Sequence, residues 1–146
     1  MSDDRVADAL AWLEFALDDL DACRSQPGRH FRPRHVANLA QQAAEKALKA
    51  ALVLSDRTPP KTHDLEHLRG MLPDGWRAKR RPADLERLSS YGVRARYPDN
   101  AIQVNALESA VAVRQAIAIM KAVKLDFERE GVRTDKLPAN HGVSGG

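Results

Sequence analysis

Apolar residues recur at three- and four-residue steps along most of the chain, which is the period of an amphipathic α-helix. The first such segment runs from Asp3 to about Arg24. Its stripe consists of Val6, Leu10, Leu13, Leu17 and Leu20. The pattern predicts a first helix with an acidic outer side, capped at its start by Asp3 or Asp4.

Three further helices are predicted before residue 95. The second extends from Pro33 to Leu54, and its apolar face is mostly alanine, which allows a close approach between helices. Thr62 is a good N-cap for a short third helix, and another short helix stops near Gly92. The leucines that mark these two short helices are Leu65, Leu68, Leu72, Leu85 and Leu88.

The last predicted helix is the longest, from Pro98 to Arg129, and it carries two apolar stripes. One stripe is Ile102, Ala106, Ala110, Val113, Ile117 and Met120, and the other is Val104, Leu107, Val111, Ala118, Ala122 and Leu125. Glu108, Gln115 and Asp126 separate the stripes on one side of the helix. A helix that is apolar on two faces is usually buried on both. One face would fill the core and the other would contact an identical subunit, giving a homodimer through this helix. The alternative is that the short helices cover both faces within one chain.

These elements predict the fold class and the domain organisation. No segment has the pattern of a strand, so we expect an all-α fold: an antiparallel four-helix bundle with an additional short helix. The bundle would occupy residues 1–131, and residues 132–146 would form a flexible tail. No apolar run approaches the length of a membrane span. The single Cys23 and the acidic start of the chain, unlike a secretory signal, predict a cytoplasmic protein.

Composition and charge add a candidate ligand class. Aromatic residues make up only 5% of the 146 residues, so the core must be mostly aliphatic. The formal net charge of +3 combines the acidic first helix with two basic stretches, at 24–35 and 69–87. Phe31 and Trp76 lie in these stretches, and arginines with an aromatic ring are suited to phosphates and bases. Ordinary solvated loops are the alternative.

Metal and thiol chemistry are poorly supported. One cysteine and five histidines give no complete ligand set. His63 and His67 are four residues apart, but His63 is followed by Asp64 and not by the glutamate that the HExxH zinc motif requires there. Cys23 lies at the end of a helix, where the dipole disfavours a thiolate, and no base can be assigned to it. We therefore predict no metal and no cofactor.

Three segments in order resemble the HEPN family (higher eukaryotes and prokaryotes nucleotide-binding). They are QQAAEKALKAAL at 41–52, THDL at 62–65 and RYPD at 96–99. The resemblance covers roughly residues 8–128. It implies a four-helix bundle that is usually a dimer. It also implies that the gene often lies beside one for a minimal nucleotidyltransferase, as a toxin–antitoxin pair.

The resemblance also implies where chemistry would occur. Catalytic HEPN toxins are metal-independent endoribonucleases with an arginine and a histidine, separated by four to six residues, near the start of the last long helix. Arg96 matches the arginine. Ala101, Ile102 and Gln103 occupy the positions where the histidine would follow. The general acid–base group is therefore missing at its usual place.

The candidate nucleotide- or RNA-binding residues are Arg57, His63, Arg94, Arg96 and Tyr97. Arg96 and His63 are also the candidate catalytic residues. Arg57 and His63 have the motif spacing and flank the THDL segment, so they could approach Arg96 in space. Arg96 could instead form an ion pair with the acidic first helix.

Two main functions follow. The first is a dimeric protein that binds a nucleotide, RNA or a nucleotidyltransferase partner without cleavage, as part of a toxin–antitoxin-type system. The second is a divergent metal-independent endoribonuclease in which His63 replaces the usual histidine. A scaffold whose dimer surface is its whole function is a third possibility.

Overall fold

The computed structural model describes residues 2–25, 32–81, 83–94, 103–135 and 137. Within these ranges the chain forms helices and no strand. The six helices are α1 (Asp3–Ser25), α2 (Pro33–Leu54), α3 (Leu65–Gly70), α4 (Arg77–Arg80), α5 (Leu85–Arg94) and α6 (Ala106–Arg129). The predicted all-α bundle is confirmed. No described helix has the length and apolar character needed to cross a membrane.

Helix α2 is the centre of the bundle and packs against both α1 and α6. The helices α1 and α2 are antiparallel, because Arg5 pairs with Asp56 at 3.3 Å while Asp19 pairs with Lys46 at 2.6 Å. Small side chains let neighbouring helices approach α2 closely. Its fully buried alanines are Ala37, Ala40, Ala43, Ala44, Ala47, Ala50 and Ala51.

The helix ends differ from the predictions in residue-level detail. The hydroxyl of Ser2, rather than Asp3 or Asp4, accepts a hydrogen bond from the Arg5 N–H at 3.2 Å. The N-cap of α3 is Asp64, whose carboxylate accepts from the N–H groups of Glu66 and His67. Thr62, the predicted cap, lies two residues before Asp64, and its hydroxyl accepts a hydrogen bond from the Asp64 N–H at 3.1 Å. Helix α5 continues past Gly92 to Arg94.

The last helix begins later than its predicted start. Residues 103–105 are not helical, and Asn105 caps α6 by accepting a hydrogen bond from the Glu108 N–H at 2.7 Å. An asparagine side chain that binds the backbone in this way favours a new helix start over continuation of an earlier one. The predicted start at Pro98 lies outside the described residues, as do residues 138–146 of the predicted tail.

The two apolar stripes of α6 were predicted to be its buried faces, but among their described residues only Met120 of one stripe and Ala122 of the other are buried. The helix buries a line between them: Ala112, Ala116, Ile119, Val123 and Phe127. Both stripes flank this line, and Leu107 and Leu125 remain 69% and 46% exposed. Asp126, predicted to separate the stripes, is fully buried instead. The apolar pattern gives most weight to large side chains, whereas close packing against α2 places the small residues Ala112 and Ala116 at the buried face.

The basic run after Trp76 forms a helix, α4, that the sequence pattern did not predict. Both carboxylate oxygens of Asp126 accept backbone hydrogen bonds, from the Arg77 N–H at 2.8 Å and the Ala78 N–H at 2.9 Å. Arg129 donates to the Gly75 carbonyl at 2.9 Å, and its guanidinium lies 5.8 Å from the centre of the Trp76 ring. A helix of four residues is unstable alone, so these contacts with α6 are what hold it.

Candidate functional site

A buried carboxylate on α2 organises the polar cluster that contains His63. Glu45 is 8% exposed, and its carboxylate oxygens bind three side chains. Gln41 Nε2 donates to Oε1 at 3.0 Å, Lys49 Nζ donates to Oε2 at 3.0 Å, and His63 Nδ1 lies 2.7 Å from Oε1. Gln41, Glu45 and Lys49 follow one another at four-residue steps, so they share one face of α2.

The charge of Glu45 is compensated within this cluster. Burial by itself would raise the pKa of Glu45, but hydrogen bonds from Gln41, His63 and Lys49 outweigh burial and hold the pKa below its usual value. The carboxylate is therefore ionised at neutral pH. Lys49 is also held from its other side, since its Nζ lies 5.7 Å from the centre of the Trp12 ring.

The imidazole of His63 bridges the interior and the solvent. With Glu45 ionised, the proton of the neutral imidazole is on Nδ1, which donates a hydrogen bond to the carboxylate. Nε2 is then the hydrogen-bond acceptor of the ring. The His63 side chain is 43% exposed. Asp64 fixes the adjacent backbone by capping α3, and the Gln41 amide donates to the His63 carbonyl at 3.4 Å. Such an oriented, half-exposed histidine is able to exchange a proton or bind an anion.

The end of α5 packs on the same cluster. A Cβ atom added at Gly92 would lie 2.7 Å from Gln41 Oε1, so only glycine permits this approach without a shift. Asn38 donates to the Tyr91 carbonyl at 3.5 Å, and the Leu65 N–H donates to Ser89 Oγ at 2.8 Å. The polar face of α2, the segment containing His63 and the end of α5 therefore meet at one place.

The start of α6 is held against α5 by side-chain hydrogen bonds. Glu108 Oε2 lies 3.2 Å from Arg87 and 3.4 Å from the Tyr91 hydroxyl. The hydrogen bond from Arg87 lowers the pKa of Glu108, which keeps this exposed ion pair charged. Arg87, Tyr91 and Glu108 thus hold α5 to the start of α6, while residues 95–102, which include Arg96 and Tyr97, lie outside the described residues.

A family model of the HEPN domain matches residues 9–129, which is most of the chain. The chain belongs to the HEPN family. This membership associates it with nucleotide- or RNA-related function in general. No curated protein and no solved structure shows significant similarity to it.

Within this HEPN domain, the predicted site residues fall into three groups. His63 lies in the cluster on α2. Arg57 lies elsewhere: its N–H donates to the Leu52 carbonyl at 2.9 Å, and its guanidinium donates to the Met71 carbonyl. Leu52 follows Glu45 by seven residues, or about 10 Å along the helix, so Arg57 does not join His63. The Arg94 side chain, Arg96 and Tyr97 lie outside the described residues.

The sequence-based predictions did not include two members of the cluster, Glu45 and Gln41, as candidate site residues. Both stand in the QQAAEKALKAAL segment of the HEPN resemblance, but no role was assigned to them. The sequence does contain a signal for them, because Gln41 and Glu45 are polar residues four apart on the alanine-rich face of α2, where a buried apolar residue would be expected. A buried polar residue needs a partner, and here the partner is His63.

Proposed function

We propose that this HEPN protein binds RNA at the surface around His63, as a cytoplasmic homodimer. The observation that supports the proposal is the convergence of Glu45, His63 and the end of α5 at one place. The exposed Nε2 of His63 offers a hydrogen-bond acceptor for a ribose 2′-hydroxyl, and the arginines that follow α5 in the sequence would add the positive charge that phosphate groups require. Arg96 and Arg94 would supply the charge, and Tyr97 a stacking surface.

Binding without cleavage is the first form of this function, because no histidine follows Arg96 at the family spacing. Metal-independent cleavage is the second candidate, and the 2.7 Å separation of Glu45 and His63 favours it. In that reaction His63 Nε2 would accept the proton of a ribose 2′-hydroxyl while the 2′-oxygen attacks phosphorus and the bond to the 5′-oxygen breaks. Arg96 would stabilise the negative charge that develops on the phosphate.

One set of variants tests binding and cleavage together. Fluorescence anisotropy with a labelled single-stranded RNA should show affinity about tenfold lower for His63→Ala and for Arg96→Ala, as expected when one hydrogen bond worth about 1.4 kcal/mol is lost. His67→Ala is the matched control, because His67 is an exposed histidine one turn further along the same segment. Equal affinity of all three variants and the wild type would contradict the proposed site.

The same proteins, incubated with RNA in the presence of EDTA, distinguish the two candidates. Product bands that disappear with His63→Ala but persist with His67→Ala establish the endoribonuclease. Bound but intact RNA establishes binding alone.

The homodimer would form through the amino-terminal half of α6. Leu107 is 69% exposed there, and Ala110 is exposed on the same side. Burial of such residues against an identical surface would remove apolar area from water. Light scattering after size exclusion should give a dimer mass for the wild type and a monomer mass for Leu107→Asp. A wild-type monomer at micromolar concentration would overturn this part.

A role in a toxin–antitoxin-type system is the last part of the proposal, and it rests on the family resemblance. The expected partner is a minimal nucleotidyltransferase encoded next to this chain. Co-expression with the product of such a neighbouring reading frame should give a complex that survives affinity purification. Separate elution of the two proteins would argue against the pairing.

A further inference from the structure

A positively charged groove lies between α4 and α6, apart from the cluster around His63. Its volume is about 470 Å³. Arg77, Arg80 and Arg81 form one wall and Lys121 the other. Ala118, Ala122 and Leu125 provide an apolar floor, and none of the described residues that line the groove is acidic.

The four cations of this groove lack partners within the described residues. Several basic side chains elsewhere on the bundle are held by carboxylates, as Lys46 is by Asp19, Lys79 by Asp74 and Arg87 by Glu108, although Arg114 and Lys124 form no ion pair with the described residues. The side chains of Arg77, Arg80, Arg81 and Lys121 are exposed and form no ion pair with any part of the chain that the structure describes. Four unpaired like charges around one groove repel one another, and a bound anion would relieve that repulsion.

The wall of the groove is fixed in position although α4 is short. The carboxylate of Asp126, next to Leu125 in the sequence, is fully buried and accepts hydrogen bonds from the N–H groups of Arg77 and Ala78. Arg129 holds the preceding turn through the Gly75 carbonyl. The backbone that supports three arginines is thus anchored to α6, and little ordering of that backbone would be needed when a ligand binds.

We propose that this groove binds the phosphate backbone of an RNA strand, at a second site separate from the Glu45–His63 cluster. Arginine guanidinium groups bind phosphate through two parallel hydrogen bonds, and three arginines lie within little more than one helical turn. The volume is in the range of small-molecule sites, and the floor of Ala118, Ala122 and Leu125 suits a ribose or a base. RNA as the source of the phosphates rests on the proposed function.

Helix α3 connects this groove to His63. Arg69 at the end of α3 donates to the Arg81 carbonyl at 2.7 Å, and α3 begins two residues after His63. Six helical residues span about 9 Å. The two sites are therefore close enough for a single RNA strand to contact both, and the groove would determine the direction in which the strand leaves His63.

The test compares two double variants with the same net charge. Arg80→Ala with Arg81→Ala removes two groove cations, and Lys124→Ala with Arg133→Ala removes two cations outside it. Each pair lowers the formal net charge from +3 to +1 (3 minus 2), so the overall attraction to RNA changes equally. Affinity for a single-stranded RNA is measured by anisotropy over a series of salt concentrations, with circular dichroism to confirm the helix content of each protein.

For the groove variant, we expect the slope of log affinity against log salt to fall by about 1.4, since each phosphate contact on single-stranded RNA contributes about 0.7. If the affinities coincide at 1 M salt, that slope makes the groove variant about 25-fold weaker at 0.1 M. The control pair should keep the wild-type slope. Equal slopes for both double variants overturn the proposal.

Other outcomes identify what else the groove would hold. If ATP competes with RNA for the wild type, and its own affinity falls only in the groove variant, the ligand is a nucleotide and not a strand. If only the oligomeric mass changes in the groove variant, the groove joins protein copies, and the proposal is wrong. If the wild type binds no RNA at all, the proposed function itself fails. Binding that is lost in His63→Ala but unaltered in the groove variant preserves that function and rejects this second site.

Discussion

Asp126 offers the sharpest test of how the bundle is held together. Its fully buried carboxylate accepts two backbone hydrogen bonds, at 2.8 and 2.9 Å, and replacement by alanine would leave both N–H groups of α4 without a partner. A buried unsatisfied donor such as the Ala78 N–H costs about 1–3 kcal/mol and the part-buried Arg77 N–H less, so Asp126→Ala should lower the free energy of unfolding by about 2–4 kcal/mol. Asp126→Asn keeps one acceptor oxygen and should lose about half as much.

Urea unfolding followed by far-UV circular dichroism measures this loss. Asp74→Asn is the matched control, because Asp74 is a fully exposed aspartate whose ion pair with Lys79 reaches the same helix. We expect no measurable change for this control. If α4 detaches without global unfolding, the loss in urea is smaller, but amide exchange at Ala78 becomes faster. An Asp126→Ala protein that matches Asp74→Asn in both measurements would refute the assigned role of the buried carboxylate.

Three further predictions concern the cluster on α2 and the first helix. Gly92→Ala should cost about 1–3 kcal/mol in urea because the new methyl group displaces the Gln41 amide, whereas Gly70→Ala, with open space around it, should be neutral or slightly stabilising. Glu45 has a lowered pKa, so its contribution is complete above the unfolded value of 4.5 and is lost as the pH falls through the lower folded value. The difference in unfolding free energy between wild type and Glu45→Gln should therefore shrink at acidic pH, and a constant difference would contradict the assignment. Burial raises the pKa of Cys23 to about 11, so a disulfide reagent at neutral pH should label it far more slowly in the folded protein than in guanidinium, and equal rates would contradict its burial.

Helical periodicity predicted the long elements well, because α1 and α2 each present a regular apolar face. The bounds of α2 agree with the prediction at Pro33 and Leu54. The failures occurred where a distant residue determines the local structure. The run from Arg77 to Arg80 has no apolar period, and it is helical because Asp126 satisfies its first N–H groups.

The site was predicted in part, since the motif spacing and the THDL segment both include His63. Its partner Glu45 is 18 residues away, and the approach of Gly92 to Gln41 brings in a third segment. Such pairings depend on how helices pack, and periodicity within one segment contains no information about them. The prediction that Arg57 and His63 approach Arg96 stays a prediction, because Arg96 lies outside the described residues; the Arg57 guanidinium itself binds the Met71 carbonyl.

The attachment of α4 has a consequence for the order in which the chain folds. The hydrogen bonds between α4 and Asp126 close loops of 48 and 49 residues, whereas a four-residue helix has no stability before they form. We expect α4 to become protected from amide exchange only after α6 has docked on α2. The basic groove would then form last in folding, so the α1, α2 and α6 core would be assembled before Arg77, Arg80 and Arg81 reach their positions in the groove.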